Sequence, residues 1–344
     1  MKKGFTRFTY YLQQVRDLME KARLEKDPAM WLFRNNARTP LFMLEALARM
    51  YAGIHNRKKF DRMRIRFKLI EDGFGQIDYF NSMAIAFESN KKINAECINY
   101  VKQKMEESSS RLNELLNKDG WLTDKHTRIG KITRKLESAD WLKPGKEVGE
   151  IAEFYEASIE NINEFVSKTR YLFDNVEEDV HELRRRLRWL SIYPQSMQGV
   201  FQFDAASPAR PYLNKYLTKE ITESPFNKLP PPGSNTSFVI LNKNYFLALS
   251  WMIAKLGELK DEGLLITGLA EAIKHNSGCS EKDAINEAYS MSGDKQKRLK
   301  EILDEAEALT KKFFREKNLR RLLIRTIKAK KKILKPKTSK LKKK

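Results

Sequence analysis

Apolar residues recur three or four positions apart along most of this chain, and this spacing is the feature that most limits how it can fold. Near the N-terminus the spacing places five apolar side chains on one side of a helix: Phe8, Tyr11, Leu12, Val15 and Leu18. Asp27-Pro28 predicts the end of that segment. Gly and Pro contribute only 15 and 11 of the 344 residues, and no hairpin signal is found. The sequence therefore predicts an all-α fold.

The same spacing predicts a succession of further helices. Their approximate ranges are 40–54, 57–72, 77–89, 95–117, 149–191, 244–259, 264–275, 280–291 and 294–332, with shorter helices between 121 and 145. The pattern is interrupted from 193 to 244, where "SPARPY" and "KLPPPGSNTSF" hold most of the prolines. We expect an inserted loop there, and loops of this length are often functional.

The positive charge of the chain is concentrated at its C-terminal end. The formal net charge is +21, but residues 311–344 contain seventeen Lys or Arg and one acid, Glu316, and so carry +16. The other 310 residues carry only +5. The terminal polycation is suited to polyphosphate, nucleic acid or an anionic lipid surface, and a solvated tail without a specific ligand is an equal alternative. An anion site elsewhere must come from local clustering of cations.

Cysteine usage and the N-terminus indicate a reducing compartment. Cys97 and Cys279 show no CxxC spacing and cannot form a disulfide framework. Charges interrupt every apolar run of the first 27 residues, so no signal peptide is predicted. The longest apolar stretch, 245–254, has about half the length of a membrane span. We expect a cytoplasmic protein without a membrane-spanning segment.

The most informative motif is "DVHELRRRLRWL", residues 179–190. On a helix, His181, Arg184 and Arg188 share one face, with Arg185 beside them. An adjoining apolar stripe would dock the helix on its neighbours: Leu183, Leu187 and Leu190. One interpretation is an exposed arginine-rich face relieved by acids at 177, 178 and 182. The alternative is a cationic site beside the core.

A second basic helix strengthens the alternative. In "NRKKFDRMRIRFKLIED" the predicted buried stripe is Phe60, Met63, Phe67 and Ile70. The remaining surface is crowded with cations: Arg57, Lys58, Lys59, Arg62, Arg64, Arg66 and Lys68. If this helix faces residues 179–190, the two form a groove whose arginines can bind phosphate oxygens bidentately.

The segment "HELRRRLRWL" resembles the His-x-x-Arg helix of CHAD domains, the conserved histidine α-helical domains. "LGELKDEGLL", residues 256–265, is similar to the Leu-Gly-x-x-x-Asp segment that follows in that family. "RNNARTPLFMLEALARMY" and "RKKFDRMRIRFKLIEDGFGQIDYF" resemble a diverged first copy, with Arg38 at the arginine position and Asp78 near the acidic end. Asn35 stands where the family has histidine.

The resemblance implies two related helical bundles in one unit, residues 5–315. The first bundle covers about 5–145 and the second about 149–315, with the inserted loop at 193–244 and a basic tail at 316–344. It also implies that inorganic polyphosphate binds along a basic groove between the bundles. The candidate ligands for phosphate are His181, Arg184, Arg185, Arg188, Arg57, Lys58, Lys59, Arg62, Arg66, Arg38, Lys255 and Lys260.

Binding without catalysis is the predicted activity. No nucleophile motif, phosphate loop or paired Cys ligands are found, and the four histidines are scattered: His55, His126, His181 and His275. We therefore expect no metal and no cofactor. A nucleic-acid-associated helical protein that contacts phosphate backbones is the first alternative. A metal-dependent phosphohydrolase that uses His181 ranks last.

Overall fold

The computed structural model describes residues 3–204, 209–293 and 296–328, and within these ranges the chain is mostly helical. The α-helices are α1 (Lys3–Ala22), α2 (Pro28–Arg34), α3 (Arg38–Ile54), α4 (Arg57–Ser89), α5 (Ala95–Lys118), α6 (Thr127–Glu137), α7 (Pro144–Lys168), α8 (Glu182–Ser196), α9 (Lys219–Glu223), α10 (Lys243–Ser277), α11 (Glu281–Ser292) and α12 (Leu299–Arg315). Short 3-10 turns lie at Pro211–Tyr216, Pro225–Asn227 and Leu319–Arg321. The expectation of a largely helical chain is confirmed.

Side-chain caps set several of the helix starts. The Asp27 carboxylate accepts a hydrogen bond from the backbone N–H of Met30, and Pro28 occupies the first position of α2. Asn56 and Asn94 cap α4 and α5 in the same way. These caps satisfy backbone donors that have no partner inside the helix.

Two predicted breaks are absent because single long helices run through them. Helix α4 continues past residue 72 to Ser89, and α10 continues through 260–263 to Ser277. Glycines inside these helices allow close packing: a Cβ on Gly73 would lie 2.8 Å from a methyl of Leu112. Packing therefore outweighs the low helix propensity of glycine here.

The predicted helix 149–191 is instead interrupted. Helix α7 ends at Lys168, and Arg170 and Tyr171 adopt left-handed backbone conformations. A π-helical turn, Val176–His181, then leads directly into α8. Val176 packs on Gly263 of α10, where a Cβ would approach its methyl groups to 2.8 Å.

A three-stranded sheet departs from the all-α prediction. Its strands are β1 (Phe201–Phe203), β2 (Ser237–Leu241) and β3 (Leu323–Lys328), in the order β1-β2-β3. β1 and β2 are parallel, and β2 and β3 are antiparallel. No local hairpin signal announces this sheet because its strands are far apart in the chain.

The C-terminal segment belongs to the fold up to β3, which corrects two expectations. Helix α12 ends at Arg315 rather than near 332. The predicted tail begins at 316, but residues up to 328 form a 3-10 turn and β3. Leu319 and Leu322 are buried in the core. Glu316 accepts hydrogen bonds from Lys215 and Tyr216. The rest of the predicted tail, 329–344, lies outside the described residues.

The long helices α4 and α10 connect two apolar clusters. The main cluster combines side chains from both predicted bundles, from Phe8 to Leu322. A smaller cluster lies between the C-terminal halves of α4 and α10, the N-terminal half of α5, and α11. The predicted loop at 193–244 contains β1, α9 and β2, and its part from 209 to 244 packs on α10 and the C-terminal segment. There the Tyr212 and Tyr245 hydroxyls are 2.8 Å apart, and Arg321 donates to Tyr212 at 2.6 Å.

Candidate anion-binding site

Helix α8 carries the arginine-rich motif and fixes the direction of its side chains. Its predicted apolar stripe is fully buried, as expected: Leu183, Leu187 and Leu190. This stripe packs α8 among α3, α7 and α10. Arg184 and Arg188 lie one turn apart, so they share one side of α8. On that side Arg184 contacts α10 and Arg188 contacts α3.

Arg184 lies against the backbone of α10. Its Nε donates a hydrogen bond to the carbonyl oxygen of Ile253 at 3.3 Å. A Cβ on Gly257 would lie 2.9 Å from the same nitrogen, so a glycine is needed for this approach. Burial lowers the pKa of Arg184, the charge of Arg38 adds to this, and Asp261 opposes it. Within the described ranges no carboxylate lies within ion-pair distance of Arg184.

Arg188 is the more perturbed of the two. Its guanidinium carbon lies 4.3 Å from the centroid of the Phe42 ring on α3. Burial, followed by the like charges of Arg184 and Arg38, lowers the pKa of Arg188 to about 10, against the opposing effect of two carboxylates on α4. Among the residues that the structure describes, Arg188 has neither a salt bridge nor a hydrogen bond from its guanidinium.

Arg38 is the third member of what we call the arginine cluster, which consists of Arg38, Arg184 and Arg188. Its guanidinium carbon lies 5.2 Å from the centroid of the same Phe42 ring. Unlike the other two, Arg38 is paired with carboxylates of α4. Its Nη2 lies 2.7 Å from Glu71, and its Nη1 lies 2.8 Å from Asp78. The cluster therefore joins α3, α4, α8 and α10, and two of its three guanidiniums form no ion pair with any described residue.

An aromatic and charged strip extends the cluster along α3, and the sequence reasoning missed it. Arg49 lies 4.4 Å from the centroid of the Trp189 ring, and its Nη2 pairs at 2.7 Å with Glu45, whose side chain is 1% exposed. Burial raises the pKa of Glu45 against the effect of Arg49. The i,i+4 spacing of Glu45 and Arg49, continuing from Arg38 and Phe42, is the sequence signal for this strip.

The predicted ligands at the start of α8 are compensated by acids. His181 Nδ1 lies 2.8 Å from Glu177, and Arg185 pairs with Glu182. The hydrogen bond from His181 lowers the pKa of Glu177, with further effects from the charges of Lys260 and Arg185, so these groups are neighbours. Lys260 itself pairs with an adjacent acid: Asp261 at 2.6 Å. Lys255 pairs with Glu258, also at 2.6 Å.

The structure does not bring the α4 candidates to the arginine cluster. Arg66 pairs with Asp119 at 3.2 Å, and Lys59 donates to the carbonyl oxygen of Lys135 at 3.4 Å, so both point toward the end of α5 and α6. Arg62, one turn before Arg66, is exposed on that same face. The two remaining candidates, Arg57 and Lys58, are exposed at the start of α4. Of these candidates, Arg66 and Lys59 thus contact the segments at the ends of α5 and α6 instead of α8.

Comparison of the chain with protein-family models, curated proteins and solved structures gave no match. In ranges 3–204, 209–293 and 296–328, no three His, Cys, Asp or Glu side chains converge on a point where they could hold a metal ion. No helix of those ranges combines the length and apolarity that crossing a membrane requires.

Proposed function

We propose that this protein binds phosphate groups of inorganic polyphosphate at the arginine cluster, without catalysing a reaction. The observation that carries the proposal is that Arg184 and Arg188 are mostly buried, adjacent, and not neutralised by any carboxylate within ion-pair distance in the described part of the chain. Such an arrangement is unfavourable in the free protein, because desolvation and like-charge repulsion both oppose it. A phosphate group between the two guanidiniums offsets both penalties through its attraction to each.

The chemistry of the cluster supports phosphate as the ligand. Guanidinium groups stay charged at physiological pH and donate parallel N–H bonds that match phosphate oxygens. Here Phe42 supports Arg188, and the α10 backbone supports Arg184, so both arginines are held in place before a ligand arrives. Preorganised donors lose less conformational entropy when they bind.

We also propose that the chain contains two related helical units of the CHAD type. A repeated contact supports this relation: Arg184 lies against Gly257 of α10, and Arg38 lies against Gly75 of α4. In each case an arginine near the start of one helix packs on a glycine of a later long helix. The first unit has Asn35 and Phe42 in place of a histidine and an arginine of the motif.

The lysine-rich segment 329–344 favours a second candidate ligand. It contains nine lysines and no acid, and closely spaced cations bind any dense polyanion, including a nucleic-acid backbone. This attraction is independent of the arginine cluster and falls steeply with salt. The two candidates differ in where the chain holds its ligand.

A binding experiment with three variants separates these sites. We expect Arg184→Met/Arg188→Met to weaken the affinity for polyphosphate at least about tenfold at physiological salt, since each charge-assisted contact contributes about 1.5–3 kcal/mol. Methionine is chosen because a carboxylate at these partly buried positions would itself be destabilising. A chain ending at Lys328 keeps β3 and should lose mainly the salt-dependent part of the affinity.

The matched control is Arg57→Met/Arg62→Met, which removes the same charge from exposed positions of α4. We expect less than a twofold change in affinity for this variant. Equal losses in the two double variants would remove the arginine cluster as the site. Loss only in the truncated chain, together with equal competition by duplex DNA, would favour the nucleic-acid candidate.

A further inference from the structure

The two carboxylates that hold Arg38 differ in exposure. The side chain of Glu71 is 10% exposed, whereas that of Asp78 is 49% exposed. Desolvation holds a buried ion pair together, because separating it leaves an uncompensated buried charge. An exposed carboxylate is readily rehydrated after leaving its partner. Of the two contacts, the one with Asp78 is therefore the easier to exchange.

The two carboxylates also occupy different nitrogens of Arg38. Oε1 of Glu71 accepts from Nε at 2.8 Å and lies 2.7 Å from Nη2, which places it along one edge of the guanidinium. Oδ2 of Asp78 accepts from Nη1 at 2.8 Å. Glu71 alone can therefore keep the guanidinium in its orientation. Nη1 is the nitrogen that an outside ligand can reach when Asp78 moves away.

Asp78 lies close to the place where the ligand is proposed to bind. Its charge raises the pKa of Arg188, after the larger lowering effects of burial, Arg184 and Arg38. Arg38 and Arg188 both lie against the ring of Phe42. An anion that bridges Arg184 and Arg188 thus has Nη1 of Arg38 and the Asp78 carboxylate as near neighbours.

In the described part of the second half of the chain, Arg184 has no corresponding ion pair. Asp261, in the long helix that contacts Arg184, pairs with Lys260 at 2.6 Å and not with the arginine. Arg184 is therefore available to an anion from outside, whereas Nη1 of Arg38 is already paired with the Asp78 carboxylate.

We infer that Asp78 is a specificity-determining residue that occupies the position of a phosphate oxygen on Arg38 and competes with the ligand for it. This inference rests on the proposed function of the arginine cluster. A singly charged anion gains little by displacing a carboxylate of the same charge. A polyphosphate, whose adjacent phosphoryl groups together carry several negative charges, gains more from three guanidiniums than Asp78 does from one, so the exchange selects for densely charged phosphates.

The test is the affinity for tripolyphosphate, measured by calorimetry on the full chain. Asp78→Asn removes the competing charge and leaves Glu71 to hold Arg38, so we expect about tenfold tighter binding, the size of one charge-assisted hydrogen bond. Acetate should compete with tripolyphosphate more strongly in this variant than in the unchanged protein. A purely structural role of Asp78 would leave the selectivity for tripolyphosphate over acetate unaltered.

The matched control is Asp61→Asn, which makes the same change of charge on α4 about 25 Å along the helix. We expect less than a twofold effect. The double variant Arg38→Lys/Asp78→Asn should not bind tripolyphosphate more tightly than the unchanged protein. Lysine keeps the charge beside Glu71 but lacks the second N–H edge of the guanidinium. Equal tightening by Asp61→Asn, or none by Asp78→Asn, overturns the role of Asp78. If Arg184→Met/Arg188→Met binds tripolyphosphate as tightly as the unchanged protein does, the proposed function itself fails.

Discussion

Two arginine sites in this molecule, one fully buried and one partly buried, differ in whether their charges are paired. Arg7 on α1, whose side chain is 4% exposed, pairs with Glu147 at 2.9 Å and donates to the Tyr51 hydroxyl at 2.6 Å. Tyr51 in turn donates to Glu147 at 2.7 Å. Burial acts to lower the pKa of Arg7, yet these two partners raise it above its ordinary value. Arg188 is partly buried and has no such partners among the described residues, and its pKa falls to about 10.

The difference separates a structural arginine from one that is available to a ligand. The Arg7 site is closed, because every charge has a partner, and it ties α1, α3 and α7 together. The arginine cluster is open, because among the described residues Arg184 and Arg188 form no ion pair and lie beside a third guanidinium. Buried charge that remains uncompensated is characteristic of functional sites, where a ligand supplies the missing partner.

Breaking the closed site should have the largest effect on stability. We expect Arg7→Met to lower the free energy of unfolding by about 3–5 kcal/mol, because Glu147 is left as a buried charge without its cation. Urea denaturation measures this change. Arg57→Met, at a side chain that is 90% exposed, is the control and should stay within about 0.5 kcal/mol. A loss below about 1 kcal/mol for Arg7→Met would show that the pair is not the structural element described above.

The same substitution in the open cluster should act in the opposite direction. We expect Arg188→Met to raise the free energy of unfolding by about 1 kcal/mol in the absence of ligand, since it removes a desolvated charge and its repulsion with Arg184. The apolar side chain keeps contact with Phe42. A decrease of more than about 1 kcal/mol would mean that Arg188 has a stabilising partner and that the two sites are alike.

The smallest expected effect is a pH dependence of the higher free energy of unfolding of Arg188→Met. The pKa of Arg188 is lower in the folded chain than in the unfolded chain, so the folded protein loses this proton first, near pH 10. The destabilising charge is present below that pH and is relieved above it. The stability advantage of Arg188→Met over the unchanged protein should therefore shrink as pH rises through 10, between about pH 9 and pH 12. A constant difference in melting temperature across this range would contradict the lowered pKa.

Local patterns predicted the helices and the apolar side of α8, but not how the helices face each other. The periodicity identified Leu183, Leu187 and Leu190 as the docking stripe, and the structure buries all three. It also found the cations of α4, which crowd the first third of that helix. Which of them approach α8 depends on the packing of α4 against α3 and α5, and this contact between distant segments leaves no local signal.

The other features of the site and fold that the sequence did not predict also depend on contacts between residues far apart in the chain. The pairing of Arg38 with Asp78 joins helices through side chains 40 positions apart. The sheet joins β1 and β2 to a strand at the far end of the described chain. Residues 323–328 follow a basic helical pattern closely enough that propensity alone assigned them to a helix, and pairing with β2 overrides that preference.

Thermal unfolding of the unchanged protein and of Arg188→Met, each with and without excess tripolyphosphate, tests the central claim most directly. We expect the variant to melt at the higher temperature without ligand and at the lower temperature with it. Saturating ligand stabilises only the protein that binds it, by about 2.7 kcal/mol at a hundred times the dissociation constant. An equal rise in the melting temperature of both proteins would contradict the assignment of Arg188 as a phosphate ligand.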